Sequence, residues 1–436
     1  MPQRSFLIDP ARLLTALRPS NFCLLTSVLL LLLWGGAALP GWSAVPPVQL
    51  LPFEVSKQEG DKEMVTAPTP GLLLVPHSEQ SASDEKYKQR YHLTCYVYIG
   101  EMSAASATGL PNSYQRRFAI HAPEAETLPL AKRVARLLLL LYGLNHERLH
   151  YDHAFHQTVD VWLSAQKAAS SAVDVGGEQF TNQIYLYNIL SERRPIEWTR
   201  EVAHEYGHYA LPGVSGFKAP EEWANGVLGE RLFLKWMQDD LNAGRIKADD
   251  IPFIKPEELE EYLSKQVTPL IRRIERDGIV ASQFMRRDTA AMDLYTGLVL
   301  YVDGVLGTNA LLDALSYTQP KSEGTFIQAP DFLRGVETSL QGANEITYTA
   351  PPMGREGRKE GKVDFWVYLP RGEFTAETTG SASSWVFAAD TKIVHPIGKN
   401  GFLINHSDWR KLTLRFADNS DKPARLHLHR KGADLQ

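Results

Sequence analysis

Cysteine is nearly absent: among 436 residues only Cys23 and Cys95 occur. Cys23 lies in an apolar run near the N-terminus, which leaves Cys95 alone in the rest of the chain. No intramolecular disulfide can staple that part, so a small disulfide framework is excluded. Cys23 has no small residue before it and does not read as a lipidation site. Cys95, in "YHLTCYVYIG", alternates with apolar neighbours as a core thiol on a strand does. Long basic runs are missing too, and the net charge is -5, which argues against nucleic acid as a partner. There is no internal repeat and no long low-complexity tract. The hydrophobic fraction of 44% and charged fraction of 22% are those of globular protein, and the length suits two or three domains around a substantial core.

One long apolar run is present. "CLLTSVLLLLLWGGAAL", Cys23 to Leu39, carries no charge and follows Arg4, Arg12 and Arg18 against a single Asp9. A positive segment followed by an apolar one is an export signal. Small residues offer cleavage after Ala38, Ser43 or Ala44, while the long basic lead equally fits an uncleaved anchor. Either way the body is expected outside the cytoplasm, secreted, periplasmic or anchored, with this segment as its one membrane contact.

The remainder divides by composition. Residues 1–44 are the signal peptide or anchor, and 45–88 are Pro-rich and then polar, which predicts a tether. Residues 89–245 mix strand and helix patterns. Strands are predicted at "YHLTCYVYIG", "RRFAIHA", "TVDVWLSA" and "QIYLYN". A helix is predicted over "LPLAKRVARLLLLLYG", ending near Gly143 and Asn145, with others opening at Pro195 and Pro220. Residues 246–344 read as a helical lobe. From Glu345 to Gln436 the apolar period becomes two, predicting a small all-β, sandwich-like domain whose Trp366, Trp385 and Trp409 suit its core. The fold class is therefore α+β.

His-Glu-x-x-His occurs twice, as "HERLH" from His146 and "HEYGH" from His204. On a helix, His at i and i+4 share a face and can hold one zinc ion, and the Glu after the first His is placed as general base. Zinc lowers the pKa of a bound water to roughly 7. In the first copy His146, His150 and His156 have metzincin spacing, but His153 stands where that pattern needs Gly for a sharp turn. Arg148 also sets a charge between the ligands, so this stretch reads as a solvated His-rich connection. In the second copy Ile196, Val202, Ala203, Tyr206 and Ala210 surround the motif at amphipathic-helix spacing, without a charge between His204 and His208. Val214 occupies the place of a metzincin third His, so an acid must complete the set: Glu221, Glu222 or Glu230.

At "EEWAN", Glu221 to Asn225, the chain resembles the gluzincins, zinc peptidases whose third ligand is a Glu on the following helix. The resemblance implies Glu221 as ligand, and Asn225 as a hydrogen-bond partner of a ligand His. Ala224, Gly226 and Gly229 would let the two helices pack closely. It runs from Phe118 to Trp236, a little over a quarter of the chain, in the element order of peptidase MA-like domains, with "QIYLYN" as the edge strand that pairs with an extended peptide. The gap from His208 to Glu221 is shorter than in thermolysin-like members, and their N-E-x-x-S-D form is not reproduced. Aminopeptidase-N-like members carry a Tyr that stabilises the oxyanion; "LYTGLVLYVDGVLG" offers Tyr295, with Tyr301 behind it. Function by resemblance is thus hydrolysis of peptide or protein substrates, with Zn2+ on His204, His208 and Glu221 and Glu205 as general base. The rival expectations are a non-catalytic exported binding or structural protein of the same fold, and zinc at His146, His150 and His156.

Overall fold

Why the strands and helices form where they do follows from burial pattern. In the computed structural model the described residues are 55–59, 62–65, 72–77, 82–101 except 85, 113–149, 157–166, 176–318 except 220, 327–350, 361–387, 394–416 except 399, and 423–431. The apolar run at 23–39, with its expected cleavage sites, lies outside them. Among the described residues no helix is long and apolar enough to cross a membrane.

An eight-stranded mixed sheet organises the N-terminal half. Its strands are β1 (Val55–Glu59), β2 (Lys62–Val65), β3 (Leu72–His77), β6 (Leu93–Glu101), β7 (Ser113–Ala122), β8 (Val159–Leu163), β9 (Gly176–Phe180) and β10 (Gln183–Tyr187). A short hairpin, β4 (Ala82–Ser83) and β5 (Arg90–Tyr91), lies apart. The sheet order is β1-β2-β3-β6-β7-β8-β10-β9. Two expectations are corrected here. The segment 45–88, predicted as a tether, contributes β1, β2 and β3, with β3 pairing antiparallel to β6. And "QIYLYN" is not the edge: β10 lies between β8, to which it is parallel, and antiparallel β9, the last strand of the sheet among the described residues.

Alternation assigns the two faces of the sheet. Cys95, Val97, Phe118, Ile120, Val159, Val161, Ile184 and Leu186 are buried on the helix-bearing side. On the other side Trp162, Tyr185, Tyr187 and Tyr91 form a separate aromatic cluster. Between parallel β7 and β8 runs α1 (Leu128–Leu149). It continues past Gly143 and Asn145, where sequence punctuation predicts an end, because Gly143, Leu144, Asn145 and Leu149 are all buried. Packing outweighs the weak helix preference of Gly and Asn here. His146 stacks on Tyr142, and Arg148 pairs with buried Asp240, so that charge joins two helices; His150, His153 and His156 lie outside the described residues.

The helices that follow are α2 (Pro195–Ala210), α3 (Ala224–Asn242), α4 (Pro256–Tyr262), α5 (Thr268–Asp277), α6 (Thr289–Leu306), α7 (Thr308–Ser316) and α8 (Ala329–Gly342). The tail holds β11 (Glu345–Thr349), β12 (Lys362–Leu369), β13 (Gly372–Gly380), β14 (Ala382–Phe387), β15 (Val394–Ile397), β16 (Gly401–Ile404), β17 (Asp408–Phe416) and β18 (Ala424–Arg430), in two sheets of order β11-β18-β13-β16-β15 and β12-β17-β14. The chain is thus α+β. Residues Gln49–Gln436 make one compact unit, and a single apolar cluster runs from β6 through the helices to Leu426 and Leu428. The compositional boundaries at 245 and 345 do not divide that core. Tyr301 on α6 joins helices to tail by donating to the Trp366 carbonyl at 2.6 Å and accepting its N–H at 2.8 Å.

Candidate metal centre

The site grows from α2 and the segment ahead of α3. Pro195 takes the first turn of α2, where a missing N–H costs nothing, and the Glu197 carboxylate accepts from the Arg194 N–H at 3.2 Å. Leu211 ends the helix in extended geometry, as a residue before proline prefers. The chain then folds back: Ser215 bridges Trp223, and the Ala224 N–H donates to the Val214 carbonyl at 2.8 Å. Those contacts hold 221–223 out of the helix. Glu221 was expected in a first helical turn from Pro220; α3 instead begins at Ala224, and Glu221 stands three residues before it.

Two facing glycines set the approach of α2 to α3. A Cβ on Gly207 would come within 2.8 Å of the Gly229 Cα, and one on Gly229 within 2.5 Å of the Gly207 Cα. The backbones nearly touch there, which carries Asn225 and Gly226 onto the His pair. The Asn225 Nδ2 donates to the His208 carbonyl at 2.8 Å, and Asn225 Oδ1 lies 3.0 Å from His208 Nδ1. This is the partner that the resemblance implies for a ligand His.

His204 Nε2 and His208 Nε2 are 3.2 Å apart. Glu221 Oε2 is 3.4 Å from the first and 3.8 Å from the second. Its other oxygen accepts from the Trp223 N–H at 3.3 Å, which turns Oε2 toward the imidazoles. Among the described residues these three form the one group able to hold a metal ion. The chemistry of the donors tests the fit. Asn225 Oδ1 accepts the His208 Nδ1 proton, leaving Nε2 with its lone pair. Glu230 Oε2, 3.6 Å from His204 Nδ1, favours the same tautomer there. With both imidazoles neutral, two lone pairs and a carboxylate oxygen converge, an arrangement that calls for positive charge between them, whether a proton or a metal ion. Tetrahedral zinc with bonds of about 2.0–2.1 Å would set its N and O ligands roughly 3.3 Å apart; the 3.2 and 3.4 Å spacings fit, and the 3.8 Å one is wider by about half an ångström.

Glu205 is only 4% exposed and makes no hydrogen bond among the described residues. Burial pushes its carboxyl up to about 8; Glu201, Glu221 and Glu178 add to this, while His204 opposes it. Burial alone would lower His204, but Glu221 and Glu230 overcome it and hold the imidazolium up to about 10 in the chain by itself. Burial, with the His204 charge beside it, lowers His208. So the chain alone keeps one proton where three ligand atoms meet.

Of the acids weighed from sequence, the structure brings Glu221 to the histidines and leaves Glu222 exposed. Glu230 lies behind His204, accepting from Arg200 Nε and from the Tyr262 hydroxyl, both at 2.7 Å. Burial works against that carboxylate, yet His204, Arg200 and Arg231 hold it down at about 2. Tyr295, 1% exposed, is enclosed with Phe217 and Phe332 at ring separations of 6.5 and 5.7 Å. It is not among the groups gathered at His204, and Tyr301 is committed to Trp366. Two participants were missed in the sequence. Glu201, one turn before Glu205, was findable from i,i+4 spacing on the same helix. Gly177 on β9 was not: a Cβ there would lie 2.6 Å from Glu205 Cγ and 2.7 Å from its Oε1, so only glycine lets the edge strand cross this carboxylate. No family model matches the chain, and no curated protein matches it.

Proposed function

We propose that the chain is an exported, zinc-dependent peptidase of gluzincin type, with a zincin-like domain built on the eight-stranded sheet. The observation that carries this reading is the convergence of His204 Nε2, His208 Nε2 and Glu221 Oε2 beside the Glu205 carboxylate, which makes no hydrogen bond among the described residues. When bound, zinc supplies Lewis acidity, which makes water acidic enough to lose a proton near neutral pH. Glu205 accepts that proton and later delivers it to the leaving amine nitrogen, the two halves of general acid–base catalysis. Asn225 and Glu230 orient the ligand imidazoles from behind. The outer edge of β9 offers backbone groups to an extended peptide, and Gly176 and Gly177 keep that edge close to Glu205.

The test is zinc per chain in protein lacking residues 1–44, with peptide hydrolysis measured on the same samples. Wild type and His146→Ala are expected to hold one zinc and hydrolyse peptides, and His204→Ala to do neither. Zinc lost with His146→Ala instead moves the site to "HERLH". No zinc in any form after supplementation leaves a scaffold, the non-catalytic alternative.

Zinc uptake is also expected to release protons. In the chain alone His204 stays protonated up to about pH 10, so zinc displaces that proton throughout the neutral range. Affinity should rise about tenfold per pH unit for the His204 proton, and more steeply below about pH 8, where zinc would also displace the Glu205 proton. Calorimetric titration in buffers of different ionisation enthalpy reads the proton count directly. Affinity independent of pH would show that His204 gives up no proton on binding.

A further inference from the structure

Glu205, His204 and Glu230 border a cavity of about 420 Å³. That is within the roughly 300–1,000 Å³ usual for ligand pockets, and it holds a large side chain with ease. Its walls are charged: Arg193, Glu197, Arg200 and Glu201, with Gly176 and Gly177 of β9 opposite. The two cations are already committed. Arg193 donates to the carbonyls of Tyr187 and Asn188 and lies over the Trp198 ring at 4.2 Å. Arg200 Nε is bonded to Glu230. Glu197 is occupied by the Arg194 backbone and side chain.

Glu201 differs from these. Among the described residues it makes no hydrogen bond and no ion pair, and burial raises its carboxyl. It sits one turn before Glu205 on α2, and the two carboxylates flank the same bare spot: a Cβ on Gly177 would lie 2.6 Å from Glu201 Oε1 and 2.7 Å from Glu205 Oε1. The absence of side chains at 176 and 177 keeps that space open. A half-buried carboxylate without a donor is costly, and the deficit disappears when a ligand brings one. Nearly unexposed Glu205 lines the same cavity, so a nitrogen seated there has two carboxyl groups as acceptors.

We propose that this cavity is a subsite for a cationic nitrogen of the substrate, with Glu201 as its acceptor. That nitrogen is a lysine or arginine side chain, or a free amino terminus, next to the cleaved bond. The inference rests on the peptidase reading and deepens it by naming the substrate class.

The test uses the zinc-loaded full chain and quenched peptides carrying Lys, Arg, Leu or Glu on either side of the cleaved bond, each with a free and an acetylated amino terminus. A cationic residue at one flanking position is expected to raise kcat/KM over Leu by roughly ten- to a hundredfold, the range of a hydrogen bond to a charged group. Glu201→Gln should bring that ratio toward one. If the terminal amine is the bound group, acetylation produces the same loss, and the glutamine variant becomes indifferent to it. A preference that survives Glu201→Gln, no preference at all, or a preference for Glu overturns the proposal. Should the glutamine variant lose its zinc, Glu201→Asp is compared instead, and an unchanged ratio there overturns the proposal equally. Benzylamine and benzyl alcohol, titrated by NMR, separate this subsite from the peptidase reading. Amine binding that Glu201→Gln removes, without hydrolysis of any peptide, keeps the subsite and ends the peptidase reading. Equal binding of amine and alcohol by wild type ends the subsite.

Discussion

Glu205→Gln is expected to keep zinc near one per chain while lowering kcat for peptide hydrolysis by about 10²–10⁴, the usual contribution of a general base. The glutamine has the same shape and stays in the same enclosed position, beneath Gly177. What it loses is the ability to take a proton. Glu205 is 4% exposed and makes no hydrogen bond among the described residues, so the substitution breaks none of those. Burial, with Glu201 and Glu221 close by, favours the protonated acid in the chain alone. A divalent cation on His204, His208 and Glu221 would supply the opposite charge and lower the carboxyl again, which would link metal occupancy to base strength. Zinc analysis and kcat on one preparation check both halves. A variant with wild-type turnover removes Glu205 as the base, and one without zinc shows that the residue also supports the ligands.

Gly226→Ala is expected to abolish zinc binding without unfolding the protein. A Cβ at this position would lie 2.2 Å from His208 Nε2 and 2.7 Å from His204 Nε2. It would occupy the space shared by the two donor atoms, so at least one imidazole must turn away. Turning His208 also breaks its bond to Asn225. Disturbing a single orienting contact commonly costs 10–100-fold in metal affinity, and displacing two ligands should exceed about 100-fold. The backbone has no comparable objection, since alanine is the better helix former by about 0.8–1.0 kcal/mol. Circular dichroism and the unfolding midpoint should therefore match wild type while zinc content and hydrolysis fall together. Wild-type zinc in this variant would place the metal elsewhere.

Much of this arrangement is legible in the residues. Apolar spacing around "HEYGH" marks a packed helix, and α2 runs from Pro195 to Ala210 around it. The small residues of "EEWANGVLG" signal close packing, and Gly207 meets Gly229. The Asn225 contact to His208 and the β-rich tail after Glu345 follow the sequence pattern as well. These features are local or depend on one helix face, where periodicity carries the information.

The misreadings share a cause. Pro220 signals a helix start, yet the Ser215–Trp223 bridge holds Glu221 extended and delivers it to His204 from outside the helix. "GGEQF" has little strand preference, but pairing with β10 makes it the sheet edge above Glu205. Gly143 and Asn145 look like an end, and burial carries α1 through them. In each case contacts between segments distant in sequence outweigh a local preference worth at most about 1 kcal/mol. From its sequence alone this protein's α+β class, its two candidate ligand histidines and the acid proposed as base could be named, because their spacing is local. Which acid stands beside the histidines, which strand borders Glu205 and which carboxylate is left without a donor among the described residues were decided only by tertiary packing, because such a site is a meeting of segments that the order of residues does not place side by side.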